Sequence, residues 1–170
     1  MTIRIRSALL AALAAFLFAC SDDKSATDPF AYCASVGTID APDARYKGAK
    51  VPDNLLAGMR TVMGFASFMP ADEIARGTSW RCMEGKVYAC YSGANLPCAA
   101  KADETRAPAP ALETFCKREA DADMIPAVVT GRETIYAWRC HHGLPEIVRE
   151  VTRADERGFL SNIWHEIPPE

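Results

Sequence analysis

The sequence predicts an α+β domain stapled by disulfide bonds, and three observations carry that expectation. Helix signals and strand-like runs follow one another without the alternating β-α-β order of a parallel sheet. Six of the seven cysteines fall after residue 30, an even number. Trp-Arg-Cys-x-x-Gly occurs twice, at Trp80–Gly85 and Trp138–Gly143, each time in a run whose alternate residues are apolar. A chain of 170 residues suits one domain. The expected architecture is about three short helices with antiparallel strands, arranged as a hairpin plus a meander.

The helices come first. Asp28 is an N-cap candidate, Pro29 fits the first helical position and Gly37 is a stop, so Phe30 and Cys33 share a face and Cys33 points inward. Pro52 or Asp53 opens a second helix with Leu55, Met59, Val62 and Met63 at helical spacing, closed by Gly64. That methionine stripe reads as core. "ADEIAR" suggests one further helical turn, and Pro110 opens a third helix whose Leu112, Phe115 and Cys116 face inward.

From Thr78 the apolar period shortens to two. Trp80 with Cys82, and Tyr88 with Cys90, would each share a strand face, with "MEGK" as the turn between them. "IPAVVTG", "ETIYAWRC" and "PEIVREV" read as a three-strand meander with Tyr136, Trp138 and Cys140 on one face, and "GFLSNIWHEI" as a last strand. In both Trp-Arg-Cys copies the indole and sulfur should face the core and the arginine should face out, while the glycine permits a tight turn. On sequence alone, two copies fall short of a repeat architecture.

Ahead of the domain, Arg4 and Arg6 precede an apolar run from Ala8 to Phe18, the layout of a secretory signal peptide too short for a comfortable permanent membrane span. Leu17, Phe18, Ala19 and Cys20 resemble the lipobox of bacterial lipoproteins. The resemblance implies cleavage before Cys20, lipidation of its sulfur and attachment to a membrane through acyl chains, each methylene contributing about 0.8 kcal/mol. Ser21 resembles the sorting signal for the outer membrane. The expected organisation is therefore a signal peptide over residues 1–19, a lipidated flexible tether over 20–27 and a disulfide-rich domain over 28–170. The alternatives are a soluble periplasmic form and an inner-membrane anchor.

Export and cysteine parity agree, because structural disulfides persist in oxidising compartments. Cys33, Cys82, Cys90, Cys98, Cys116 and Cys140 should form three bridges, although six cysteines allow fifteen pairings and the sequence does not choose.

The formal charge is −3, and loss of the leader with Arg4 and Arg6 makes it two units more negative. That balance argues against nucleic acid, which needs a basic surface. "RCHHG" suggests thiolate or metal chemistry. A bridged Cys140 removes the thiolate, and neighbouring His141 and His142 on a strand would point to opposite faces, so both reach one ion only from a turn. His165 could join them only through the fold. No metal site is therefore assigned from sequence, with these three histidines as the candidates. The equal spacing of Cys82, Cys90 and Cys98 is wider than a zinc knuckle. Glu119, Asp121 and Asp123 lack the glycine and terminal glutamate of a calcium loop and read as a solvated helix end. No hydrolase, metalloprotease or phosphate-loop motif occurs, and no cofactor is expected.

"VYACYSGANLPC" slightly resembles the Tyr-x-Cys-x-x-Gly hairpin of small periplasmic lysozyme inhibitors through Tyr88, Cys90 and Gly93. That resemblance implies a β-barrel and an inhibitory role. The principal functional expectation is a noncatalytic binding domain of the cell envelope with an envelope protein as partner, and with Arg81, Arg139 and the loop from Gly93 to Pro110 as the contact surface. The alternatives are a lysozyme-inhibitor-like protein and a metal-dependent or hydrolytic enzyme using His141 and His142.

Overall fold

The computed structural model describes residues 24–169, so the expected signal peptide, the lipobox and Cys20 lie outside the described residues. Within them the fold is α+β, with short helices, two antiparallel sheets and three disulfides. Helix α1 (Lys24–Thr27) falls in the stretch expected to be tether. Its end is fastened to the domain: the Asp28 N–H donates to the Lys24 carbonyl at 2.8 Å, and the Tyr46 hydroxyl donates to the Thr27 carbonyl at 3.2 Å.

Four further helices form where the sequence signals them. In α2 (Pro29–Val36) the Asp28 side chain accepts from the Ala31 N–H at 2.8 Å, satisfying an otherwise orphaned donor of the first turn. Helix α3 (Asp53–Met63) buries Leu55, Leu56 and Met59 and ends at Gly64 in the left-handed region. Helix α4 (Ala71–Gly77) contributes Ile74, and α5 (Pro110–Arg118) contributes Leu112 and Cys116. Strand β1 (Thr78–Met83) pairs with β2 (Lys86–Tyr91) as the expected hairpin.

The last third departs from the expected meander. "IPAVVTG" is not a strand: Pro126 leads into one helical turn, α6 (Ala127–Thr130). The β-branched composition suggested strand, but a proline fits the entry to a helical turn and has no N–H to give a ladder. What remains is a two-stranded hairpin, β3 (Tyr136–His141) with β4 (Leu144–Glu150), carrying a bulge at Ala137/Trp138. The final strand shrinks to β5 (His165–Ile167), which adds to β2 in a sheet of order β1-β2-β5.

That three-stranded sheet is a wall between two buried clusters. Trp80, Cys82, Val87, Ala89 and Ile167 face one cluster together with Tyr32, Cys33, Leu55, Met59 and Ile74. Cys90, and Tyr88 in part, face the other, built from Leu112, Cys116, Tyr136, Trp138, Phe159, Leu160, Ile163 and Trp164. The wall alternates strictly because successive strand residues point to opposite faces.

The disulfides join Cys33 to Cys82, Cys90 to Cys98 and Cys116 to Cys140. Two of them reveal a resemblance between the halves that goes well past the four matched letters of the six-residue motif. In each half a proline-opened helix presents a cysteine that bridges to the Trp-Arg-Cys strand, with Cα atoms 5.1 Å apart in the first and 5.2 Å in the second. Shortly after the helix cysteine, the carbonyl of Gly37 or Ala120 accepts from the turn glycine, Gly85 or Gly143, at 2.9 Å in both. Two residues further on, the carbonyl of Ile39 or Ala122 accepts from Cys82 or Cys140 at 3.0 and 2.8 Å. Between these, a side-chain oxygen caps the turn: Thr38 Oγ1 accepts from the Glu84 N–H, and Asp121 Oδ1 from the His142 N–H, both at 3.0 Å. Glu84-Gly85 and His142-Gly143 have φ of 52° and 78°, and 50° and 79°, the left-handed pair of a two-residue hairpin turn. The units differ in what is added: α3 and α4 lie between helix and hairpin only in the first, and β5 extends only the first sheet.

Candidate functional site

The second hairpin turn gathers the densest set of metal-ligating side chains among the described residues: Asp121, His141 and His142, whose donor atoms all lie within 4.8 Å of one another. Asp121 Oδ1 is 4.0 Å from His141 Nδ1 and 3.7 Å from His142 Nδ1. All three side chains are exposed.

Their convergence follows from local backbone chemistry. His141 ends β3, and His142 takes the first turn position at positive φ, so the strand's face alternation breaks between them. The two rings consequently lie 4.0 Å apart by centroid with 39° between their planes. Asp121 is carried by the short segment after α5, which is tied down on both sides: Ala120 accepts from Gly143, and Ala122 accepts from Cys140. The Cys116–Cys140 bridge fixes α5 to β3 beneath. Three side chains from two segments therefore sit on a backbone frame with little freedom to separate.

The structure brings together only part of what the sequence suggested. His141 and His142 meet, whereas His165 sits on β5 in the other sheet and is not in the cluster. In sequence Asp121 reads as part of a solvated helix end, and the signal for its place in the cluster is positional. It follows Cys116 as Thr38 follows Cys33, which aligning the halves on their helix cysteines makes visible. All six cysteines after residue 30 are bridged, so none offers a free thiolate.

Arg81 corrects a second expectation. The sequence places it on an exposed contact surface, yet its side chain is 1% exposed. The outward face of β1 is outward only with respect to the first cluster, and the second cluster covers it. The guanidinium carbon lies 4.6 Å from the Phe159 ring centroid and 4.4 Å from that of Trp164, and Nη2 donates to Asp155. Arg81 Nε and Nη1 and the Trp164 indole N–H make no hydrogen bond among the described residues, so ring contact and one carboxylate carry the compensation for this buried charge. Burial opposes ionisation of Asp155, but hydrogen bonds from Arg81 and from the backbone N–H groups of Phe159 and Arg157 hold its carboxyl below the ordinary value. Asp40 contacts the same segment from far away in sequence: the Arg157 guanidinium, working against burial and joined by Lys101, lowers its pKa to about 2.

Arg139, the counterpart of Arg81, remains on the surface and pairs with Glu146 at 2.8 Å. Of the inhibitor-like residues, Tyr88 and Cys90 lie on β2, Cys90 bridges to Cys98, and Gly93 begins the exposed loop between them, where a β-carbon would collide with the Tyr91 ring. The strands around them form an open three-stranded sheet with helices, not the barrel that the resemblance implied. No family model matches the chain, nor does any curated protein or solved structure.

Proposed function

We propose that the chain is a lipid-anchored, noncatalytic binding domain of the cell envelope, attached through Cys20 to the outer membrane and facing the periplasm. The observation that supports this reading is the complete pairing of the six domain cysteines, which suits an oxidising compartment and leaves no thiol nucleophile among the described residues. A signal peptide ending in a lipobox-like sequence is consistent with the same address.

Mass spectrometry of the amino terminus tests the anchor. The wild-type chain should begin at a diacylglyceryl-modified Cys20, and Cys20→Ser should shift it to a soluble, unacylated form; an unmodified wild-type terminus refutes the anchor. Crosslinking in the native envelope, followed by identification of the captured partner, tests the binding role. Capture of no partner above the Cys20→Ser background counts against it.

The exposed loop closed by Cys90 and Cys98, directly after Tyr88, favours a second reading, inhibition of lysozyme. In that case purified domain slows lysozyme at equimolar dose, and an unchanged rate removes this reading.

A further inference from the structure

We propose that Asp121, His141 and His142 form a surface site for a borderline divalent transition-metal ion, copper(II) or zinc(II). The donor set sets the class of ion. Two imidazoles and one carboxylate suit copper and zinc, whereas calcium and magnesium require oxygen ligands almost throughout. Ligands about 2.0–2.1 Å from a tetrahedral ion stand about 3.3 Å from one another. The carboxylate-to-imidazole separations of 3.7 and 4.0 Å close to that value with side-chain shifts of under about 1 Å. Three protein ligands leave at least one coordination position for water or for a donor from a partner.

The molecule contains its own control. The first unit builds the same turn on the same backbone hydrogen bonds with Thr38, Met83 and Glu84 in place of Asp121, His141 and His142. Thr38 performs the capping that Asp121 performs, so the frame needs an oxygen there but no carboxylate. It needs no imidazole at either of the other positions. The three ligands are thus additions to the hairpin of the second unit, and the frame holds them together before any ion arrives. The site does not depend on the envelope address.

The test uses tag-free mature protein with its disulfides intact, stripped with chelator, and titrated calorimetrically with copper(II) and with zinc(II). Wild type should bind one ion per chain, with nitrogen couplings in the copper electron paramagnetic resonance spectrum that indicate two imidazoles. Asp121→Thr, His141→Met and His142→Asn should each weaken binding roughly tenfold or more, because each removes one of three ligands. Asparagine tolerates the left-handed backbone at the turn. His165→Ala should leave binding unchanged. Thermal melts of the metal-free variants should match wild type, since the substituted side chains are exposed. The proposal is overturned if wild type takes up neither ion at one per chain. It is equally overturned if a folded single variant binds as tightly as wild type, or if His165→Ala abolishes uptake.

Discussion

At the scale of single residues, Arg81 and Asp155 show how packing reverses a sequence assignment. An arginine between two apolar positions of a strand reads as solvent-facing when only one core is envisaged. Here the opposite face meets a second core, and the charge is enclosed between Phe159 and Trp164. Removing one member of a buried pair leaves the other unpaired, so Asp155→Ala should lower unfolding free energy by about 3–5 kcal/mol in urea denaturation. Arg139→Ala, which breaks an exposed pair, should change it by less than about 1 kcal/mol. A similar loss in both would refute the distinction. The same carboxylates set an acid limit. Asp155 and Asp40 ionise more readily folded than unfolded, so their contribution is complete above the ordinary aspartate value near 4 and is lost as pH falls through each lowered value, about 2 for Asp40. Stability measured in urea should fall over that interval, and Asp155→Asn should flatten the fall.

At the scale of elements, the helix signals were legible because they are local: a cap, a proline and a glycine act within a few residues. Asp28, Pro29 and Gly37 bound α2 in the fold as they do in the sequence. The pairing of β5 with β2 was not legible, because a register between residues some eighty positions apart leaves no short-range pattern. The histidine cluster was half legible. The sequence required a turn to bring His141 and His142 together, and the fold supplies it, but Asp121 enters through a bridge whose partners were undetermined. The bridges also differ in expected weight. Chain-entropy arguments give about 4 kcal/mol for Cys33–Cys82 and about 2.5 kcal/mol for Cys90–Cys98, whose sequence separations are 49 and 8. The paired alanine variants should rank in that order in guanidinium melts. The reverse order would show that native packing around the short loop, and not loop closure, dominates.

At the scale of the whole molecule, the β1-β2-β5 wall serves both clusters, so neither can lose it without exposing the other. Thermal unfolding should therefore give one transition, with fluorescence from Trp80 and from Trp164 reporting the same midpoint. Two separated midpoints would show that the units melt independently.

The wall also imposes an order on assembly. Its third strand (His165–Ile167) completes a cluster that begins at Tyr32, and the carboxylate that neutralises Arg81 on its other face comes from Asp155. A nascent polypeptide emerging amino-end first can coil α2 and zip its first hairpin early, yet it holds a naked cation and an unmatched sheet margin until residues 155–167 have arrived. Products cut short before Asp155 then lack the means to finish even their opening half, and carry a built-in mark of incompleteness that proteases can read.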